Sequence, residues 1–248
     1  MFNLKSMVHD WVVEPVLSFV APAQCLICGE PLIQGHKVIC PTCSGSLPLL
    51  DPAFLENLRD EIEQPYFDDL IVCHPFDATF QKLIHLLKYQ RQQSIADLFG
   101  ETLAQFVPLN FDFVTAVPLN AIRQKERGYN QCDLIANRLS NITRIPLTTN
   151  LLKRVRNTQS QTRLSRGERK QNVKNAFKVQ GEVEGKRILL IDDVITTGST
   201  LNECAKELKK NGAAWVTAAA LATPTDFFQS DDVSQLDGDN QLLEPFVK

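Results

Sequence analysis

Apolar positions along the chain follow two different periods, and the places where one gives way to the other mark the elements. Continuous apolar runs suited to buried strands occupy Phe111 to Pro118, Arg187 to Ile191 and Trp215 to Ala222. Elsewhere the spacing is helical. Phe80, Leu83, Ile84 and Leu87 share one face, as do Ile95, Leu98, Phe99 and Phe106. A further helix is predicted after Gly198, with Leu201, Cys204, Ala205 and Leu208 as its buried stripe. Thr200 and Glu203 offer a capping box at its start, and Gly212 a stop. Strands alternating with helices predict an α/β fold of βαβ units on a mostly parallel sheet.

The same pattern divides the chain. Residues 1–20 read as an amphipathic helix, because Asp10, Glu14 and Pro15 interrupt what would otherwise resemble a signal-peptide core. Residues 21–50 carry a cysteine-rich module, and the acidic stretch 51–69, broken by Pro52 and Pro65, reads as a linker. The α/β domain is expected over 70–224, followed by an acidic, disordered tail at 225–248. No apolar run is long enough to span a membrane. Seven cysteines without a secretion signal point to a reducing compartment, so the expected location is the cytoplasm.

Four of those cysteines form a pattern. Cys25-x-x-Cys28 and Cys40-x-x-Cys43 are separated by eleven residues, the spacing of a zinc ribbon. Each CxxC places two thiolates on one tetrahedral ion, and four sulfur ligands fill the coordination sphere, so the expected Zn²⁺ is structural. Gly29 and Gly35 ease the turns, and His36 is not needed as a ligand. Cys73, Cys132 and Cys204 sit in apolar contexts and read as small core residues.

Charge changes the picture next. The formal net charge is −3, but Ala121 to Arg187 holds 16 Lys and Arg against 5 Asp and Glu, leaving 10 against 24 elsewhere. A basic island in an acidic protein points to a polyanionic partner. The sharpest motif closes this island. Ile188 to Ile191 is a buried strand, Asp192 and Asp193 stand at its carboxyl end, and Thr196, Thr197, Gly198, Ser199 and Thr200 form a small hydroxylated turn opening a helix. Such a turn presents N–H and hydroxyl donors to phosphate, while the two carboxylates can accept hydrogen bonds from vicinal hydroxyls. Together they suit a ribose 5-phosphate. A Walker B strand would need a Walker A loop, and GEVEGKR at Gly181 to Arg187 has the wrong spacing. A receiver domain would need more chain than the 55 residues after Asp193. A merely capped helix leaves both carboxylates unexplained.

This segment resembles the signature of type I phosphoribosyltransferases. The chain is similar to the ComF family from the four-Cys module through PLNAIRQKERGYNQCDLIA and RVRNTQSQTRLSRGERKQNVKNAF to the strand and turn just described. The resemblance implies a parallel five-stranded core and a site for phosphoribosyl pyrophosphate with Mg²⁺. In it, Asp192 and Asp193 would bind the ribose hydroxyls, and Thr196 to Thr200 the 5′-phosphate. By analogy with amidophosphoribosyltransferases, Asn120, Arg123 and Arg127 would form the pyrophosphate loop. Arg123, Arg127, Asp192 and Asp193 are then the candidate catalytic residues.

Independently of that analogy, a strand end with converging Arg side chains suits pyrophosphate, which guanidinium groups bind bidentately. A second basic stretch, Lys153 to Asn175, corresponds in such a fold to the mobile loop that closes over the reacting centre. Within it Arg163, Arg166, Arg169 and Lys170 are candidates for binding single-stranded DNA through phosphate contacts, with Tyr129 and Phe177 the nearby aromatic side chains. Several functions remain open. The resemblance implies uptake or processing of single-stranded DNA in natural transformation, with DNA-uptake machinery proteins as partners. A non-catalytic sensor of phosphoribosyl pyrophosphate or DNA-binding scaffold is one alternative. A phosphoribosyltransferase of nucleotide or sugar-acid metabolism is the other.

Overall fold

Four parallel strands in the order β1-β6-β5-β2 organise the α/β part of the protein: β1 Asp69–Pro75, β2 Phe113–Ala116, β5 Arg187–Val194 and β6 Trp215–Thr223. A computed structural model describes residues 23–32, 38–62, 64–156 and 166–225. They fall into two units that divide between Leu47 and Pro48. The expected amphipathic helix at 1–20, Gly35, His36, Arg163 and the acidic tail from 226 lie outside the described residues. Among the described residues no helix is long and apolar enough to cross a membrane.

In the first unit, backbone hydrogen bonds close a tight turn over Cys25 to Glu30, with Gly29 at φ +77°. A short helix, α1 (Pro41–Gly45), begins on Cys40, whose side chain accepts from Cys43 N–H.

In the second unit the three predicted strands are all present, and a fourth, β1, pairs with β6 from Asp69↔Thr217 to Pro75↔Thr223. The five-stranded core implied by the resemblance is reduced. Among the described residues, what lies beside β2 is a parallel bridge, Val114↔Leu147, held by Val114 N–H to Pro146 O and Thr148 N–H to Val114 O. Pro146 lacks an N–H and limits how far such an edge can extend.

Helices cover both faces. Strand alternation sends Ile188 and Leu190 into a cluster with Val216, Ala218, Leu201, Cys204 and Leu208. The last three belong to α8 (Ser199–Lys210), whose predicted stripe is buried as expected. Its predicted cap is not made. Gly198 caps the helix at φ +68° with no side-chain bond, and Glu203 accepts instead from the Asn175 backbone N–H. On the other face α3 (Ala78–Tyr89) buries Phe80, Leu83, Ile84 and Leu87. Next to it stands α4 (Ser94–Ala104), which buries Ile95 and Phe99. Phe106, expected on that face, lies beyond the helix end and is exposed. Helix α6 (Gln131–Thr143) packs on α4, β2 and β5.

The stretch read as a linker is integral to this core. Helix α2 (Pro52–Asp60) starts on Asp51, whose carboxylate accepts from Ala53 N–H. Pro52 sits at its first turn, where a missing N–H costs nothing. Leu58, Ile62 and Phe67 are buried in the same cluster as α8.

Candidate ligand site and four-cysteine centre

The carboxyl ends of β2 and β5 open into one cleft of about 470 Å³. Parallel α/β sheets bind ligands at this edge, where loops and helix starts converge. Asp192, Asp193 and Thr196 to Thr200 line the cleft, with Asn120, Arg123 and Arg127 facing them from the β2 side. The sequence thus brings together all the residues assigned to a sugar-phosphate ligand. Gly198 holds the turn in a left-handed conformation, and its Cα lies so near Ile62 that a Cβ there would stand 2.8 Å from Ile62 Cδ1. Thr197 Oγ1 and Ser199 Oγ are 2.8 Å apart and fix each other's direction.

The acid pair is not symmetrical. Lys88, at the end of α3, places its ammonium 2.7 Å from Asp193 Oδ2, and Gln131 Nε2 donates to the same oxygen at 3.4 Å. Asp193 Oδ1 accepts from Val194 N–H. Burial alone would raise this carboxyl, but Lys88 outweighs it and holds Asp193 below the ordinary value. Asp192 Oδ1 accepts from Asp193 N–H and from the Cys132 thiol at 3.5 Å. Burial, and then the neighbouring Asp193 carboxylate, push Asp192 up to about 7. Burial followed by both carboxylates pushes the Cys132 thiol well above its ordinary range, so it remains a neutral donor. Cys132 is therefore more than the core residue it was taken for. Cys73 and Cys204 are buried as expected.

On the β2 side, Asn120 caps α5 (Ala121–Arg127) by accepting from Ile122 N–H, and Gly128 ends the helix at φ +80°. Arg127 is only 7% exposed. It donates to Gln131 Oε1 at 3.0 Å and to the Tyr89 hydroxyl at 3.1 Å, its guanidinium 4.9 Å from the Tyr89 ring centroid. Gln131 thus joins Arg127 to Asp193 in one chain of bonds.

The second basic stretch differs from expectation. Rather than one loop, its described part begins in β3 (Leu152–Arg154) and holds helix α7 (Arg166–Val173), and β3 pairs antiparallel with β4 (Phe177–Val179) just beyond the end of the stretch. Arg169 is 1% exposed and donates to Thr196 Oγ1 at 3.1 Å. It holds the Thr196 hydroxyl of the turn before α8 and is not displayed at the surface, where a nucleic-acid contact was expected. Phe177 is likewise buried, beneath the Arg154 guanidinium, and is no stacking platform. Arg166 and Lys170 lie on α7. Lys88, Tyr89, Gln131, Cys132 and Arg154 line the cleft without having been assigned to it from the sequence.

In the first unit, Cys25, Cys28, Cys40 and Cys43 place all four sulfurs within 4.8 Å of one another. Zn–S bonds of about 2.3 Å in a tetrahedron separate sulfurs by about 3.8 Å. Cys28 Sγ and Cys40 Sγ are 3.8 Å apart. Burial raises the Cys25 thiol, yet the N–H groups of Cys28, Cys40 and Ile27 outweigh it and bring it down to about 6, whereas burial and then the neighbouring thiols push Cys43 up to about 12. The donor set and spacing fit a soft tetrahedral cation.

A parallel sheet ending in an acid pair, a hydroxylated turn under a helix and an opposing cationic loop define a phosphoribosyltransferase-fold protein. The phosphoribosyl transferase domain family matches residues 126–232. The chain is 33% identical over 220 residues to the DNA utilization protein YhgH of Salmonella typhimurium, covering 81% of this chain and 96% of that one. It is 37% identical over 175 residues to competence protein F of Haemophilus influenzae, covering 64% of this chain and 75% of that one. With relatives of this kind it belongs to the ComF family. Among solved structures, the allosteric regulatory enzyme of purine biosynthesis is 28% identical over 52% of this chain and 25% of its own, with a TM-score of 0.36.

Proposed function

We infer that the cleft binds phosphoribosyl pyrophosphate with Mg²⁺, and that the protein uses this ligand in handling DNA taken up by the cell. The observation that carries the reading is the paired arrangement at the carboxyl edge of the sheet. A turn of N–H and hydroxyl donors at the start of α8 stands beside Asp192 and Asp193, and Arg123 faces them across the cleft. The turn suits a monoester phosphate, a carboxylate suits ribose hydroxyls, and a cationic wall suits pyrophosphate.

Carboxylate oxygens are the hard donors that Mg²⁺ prefers. Because Asp193 is engaged by Lys88, Asp192 is the side chain that would hold the ion, directly or through the sugar. When bound, Mg²⁺ neutralises charge on a departing pyrophosphate. In the chemistry open to such a site, an acceptor attacks ribose C1 while the C1–O bond to pyrophosphate breaks. In the first unit the four thiolates would hold one structural Zn²⁺.

The DNA role is supported by the names of the relatives, DNA utilization protein and competence protein. Arg163, Arg166 and Lys170 remain its candidates on this chain. Arg169 belongs to the small-ligand site.

Calorimetry with phosphoribosyl pyrophosphate and Mg²⁺ tests the binding reading, followed by a pyrophosphate-release screen over nucleobases and amines. Binding that requires Mg²⁺ is expected. No heat with either ligand or metal varied would remove the assignment of the cleft.

A further inference from the structure

Two of the residues assigned to the ligand by motif, Asp193 and Arg127, are held by neighbouring side chains. Asp193 has a side chain 8% exposed, and its two oxygens accept from Lys88, Gln131 and Val194 N–H. Arg127 is nearly as buried, and its terminal nitrogens point to Gln131 and Tyr89. Both motif residues behave as supports. Lys88 is different. Its side chain is 20% exposed and lines the cleft, and one ion pair uses one of the three N–H groups an ammonium carries. The Asp193 carboxylate fixes where that ammonium sits.

We propose that Lys88 is a ligand-binding residue of this cleft, its ammonium held in place by Asp193 and donating its remaining N–H groups to a pyrophosphate oxygen of the sugar-pyrophosphate. Asp193 is then a positioning residue that acts through Lys88, and Asp192 is the carboxylate left for the sugar hydroxyls. The argument rests on the reading of the cleft as a phosphoribosyl pyrophosphate site.

Three physical points support this division. A lysine withdrawn from water is costly unless paired, and Asp193 at 2.7 Å supplies the partner. A compact ammonium binds phosphate oxygens as a point charge without needing the planar geometry of guanidinium. Finally, the bonds from Arg127 through Gln131 to Asp193 Oδ2 tie the last residue of α5 to the same oxygen that holds Lys88. The end of α5 and the position of the ammonium are thereby linked.

The test compares Lys88→Met, Asp193→Asn and the double variant with the wild-type chain. Each is titrated calorimetrically with phosphoribosyl pyrophosphate plus Mg²⁺, with inorganic pyrophosphate plus Mg²⁺, and with ribose 5-phosphate. Lys88→Met is expected to weaken the two pyrophosphate-bearing probes at least tenfold and ribose 5-phosphate less than twofold. Asp193→Asn should weaken the same two probes, and the double variant should bind no worse than Lys88→Met alone, because the two residues act as one unit. Lys88→Met alone leaves a buried carboxylate unpaired. The double variant removes both charges and keeps the comparison valid if the single one unfolds.

Unchanged or tighter binding of the pyrophosphate probes by the double variant would overturn the proposal. Tighter binding would mean the ion pair merely occupies Asp193 until a sugar displaces it. Equal losses for ribose 5-phosphate and pyrophosphate would overturn it as well. If the wild-type chain binds none of the three probes, the ligand assignment falls and the role of Lys88 falls with it. Wild-type binding that survives the double substitution removes the Lys88 role alone.

Discussion

Asp192 carries a cost that its position in the fold imposes. Its carboxyl is raised from about 3.8 to about 7 by burial and by Asp193. Below pH 3.8 folded and unfolded chains both hold the proton, and the stabilising effect of that proton is fully present. As pH rises towards 7 the unfolded chain loses it first, so this contribution declines and is gone once the folded group ionises. An amide is neutral throughout and keeps an oxygen for Asp193 N–H and the Cys132 thiol. Asp192→Asn is therefore expected to stabilise the ligand-free protein by about 1–3 kcal/mol at pH 8 and by less than half of that at pH 5. Urea unfolding at the two pH values measures the difference. Equal gains at both would show that ionisation of Asp192 is not the cause. The proposed function also assigns Asp192 to the sugar of the ligand, so under that proposal the stabilised variant should bind phosphoribosyl pyrophosphate more weakly, the usual tension between site and stability.

At the same scale lies the limit of the sequence. Asp192, Asp193 and the turn were legible because a strand ending in two carboxylates and a hydroxyl-rich turn is local. Lys88 left a fainter mark. It stands four residues after Ile84 and eight after Phe80, on the buried stripe of α3, where an uncompensated charge is out of place. That signal was available, but its partner lies more than a hundred residues away. Arg169 had no such mark. Its helix is polar except for Val173, four residues on, and that single apolar position is too little to mark a buried face before the tertiary position of α7 is known.

Between elements, the contact of α4 with α6 is set by a glycine. A Cβ on Gly100 would lie 2.6 Å from Arg138 Cβ and 2.9 Å from the Ile135 carbonyl oxygen. Helix propensity alone would favour Gly100→Ala by up to about 1 kcal/mol. Overpacking against a helix backbone costs about 1–3 kcal/mol, and it should win. Gly100→Ala is expected to lower stability by about 1–2 kcal/mol in urea unfolding. A gain would mean the two helices can move apart freely. Helix α2 was missed for a related reason: Pro52 and Pro65 were read as breakers, whereas Pro52 follows the capping Asp51 and starts the helix. Strand β1 was not singled out either, because its short apolar run, Leu70 to Cys73, directly follows that misread stretch.

For the whole molecule, the boundary drawn from sequence at residue 70 and the division at Pro48 give different fragments. A chain starting at Pro48 retains Leu58, Ile62 and Phe67, which pack with α8. Removing three such side chains sacrifices about 1.5–3 kcal/mol for each. That total is comparable with the whole stability of a typical domain, roughly 5–15 kcal/mol. Fragment 48–225 should unfold cooperatively, and fragment 70–225 should show no cooperative transition by circular dichroism. Equal melting of the two would place these side chains outside the essential core.

The segment just after that division also touches the rim of the sheet. Leu50 N–H donates to Cys73 O, and the Pro48 carbonyl meets His74 Nδ1 at 2.6 Å. At the opposite rim, Pro146 to Thr148 pairs with Val114. Each outer strand is thus covered by a brief run containing a proline, which cannot itself be templated into a longer ladder. A nick between Pro48 and Leu50 would bare the side of β1 while leaving the ligand cleft intact. Self-association through strand addition, rather than loss of binding, is then the first damage a protease would do.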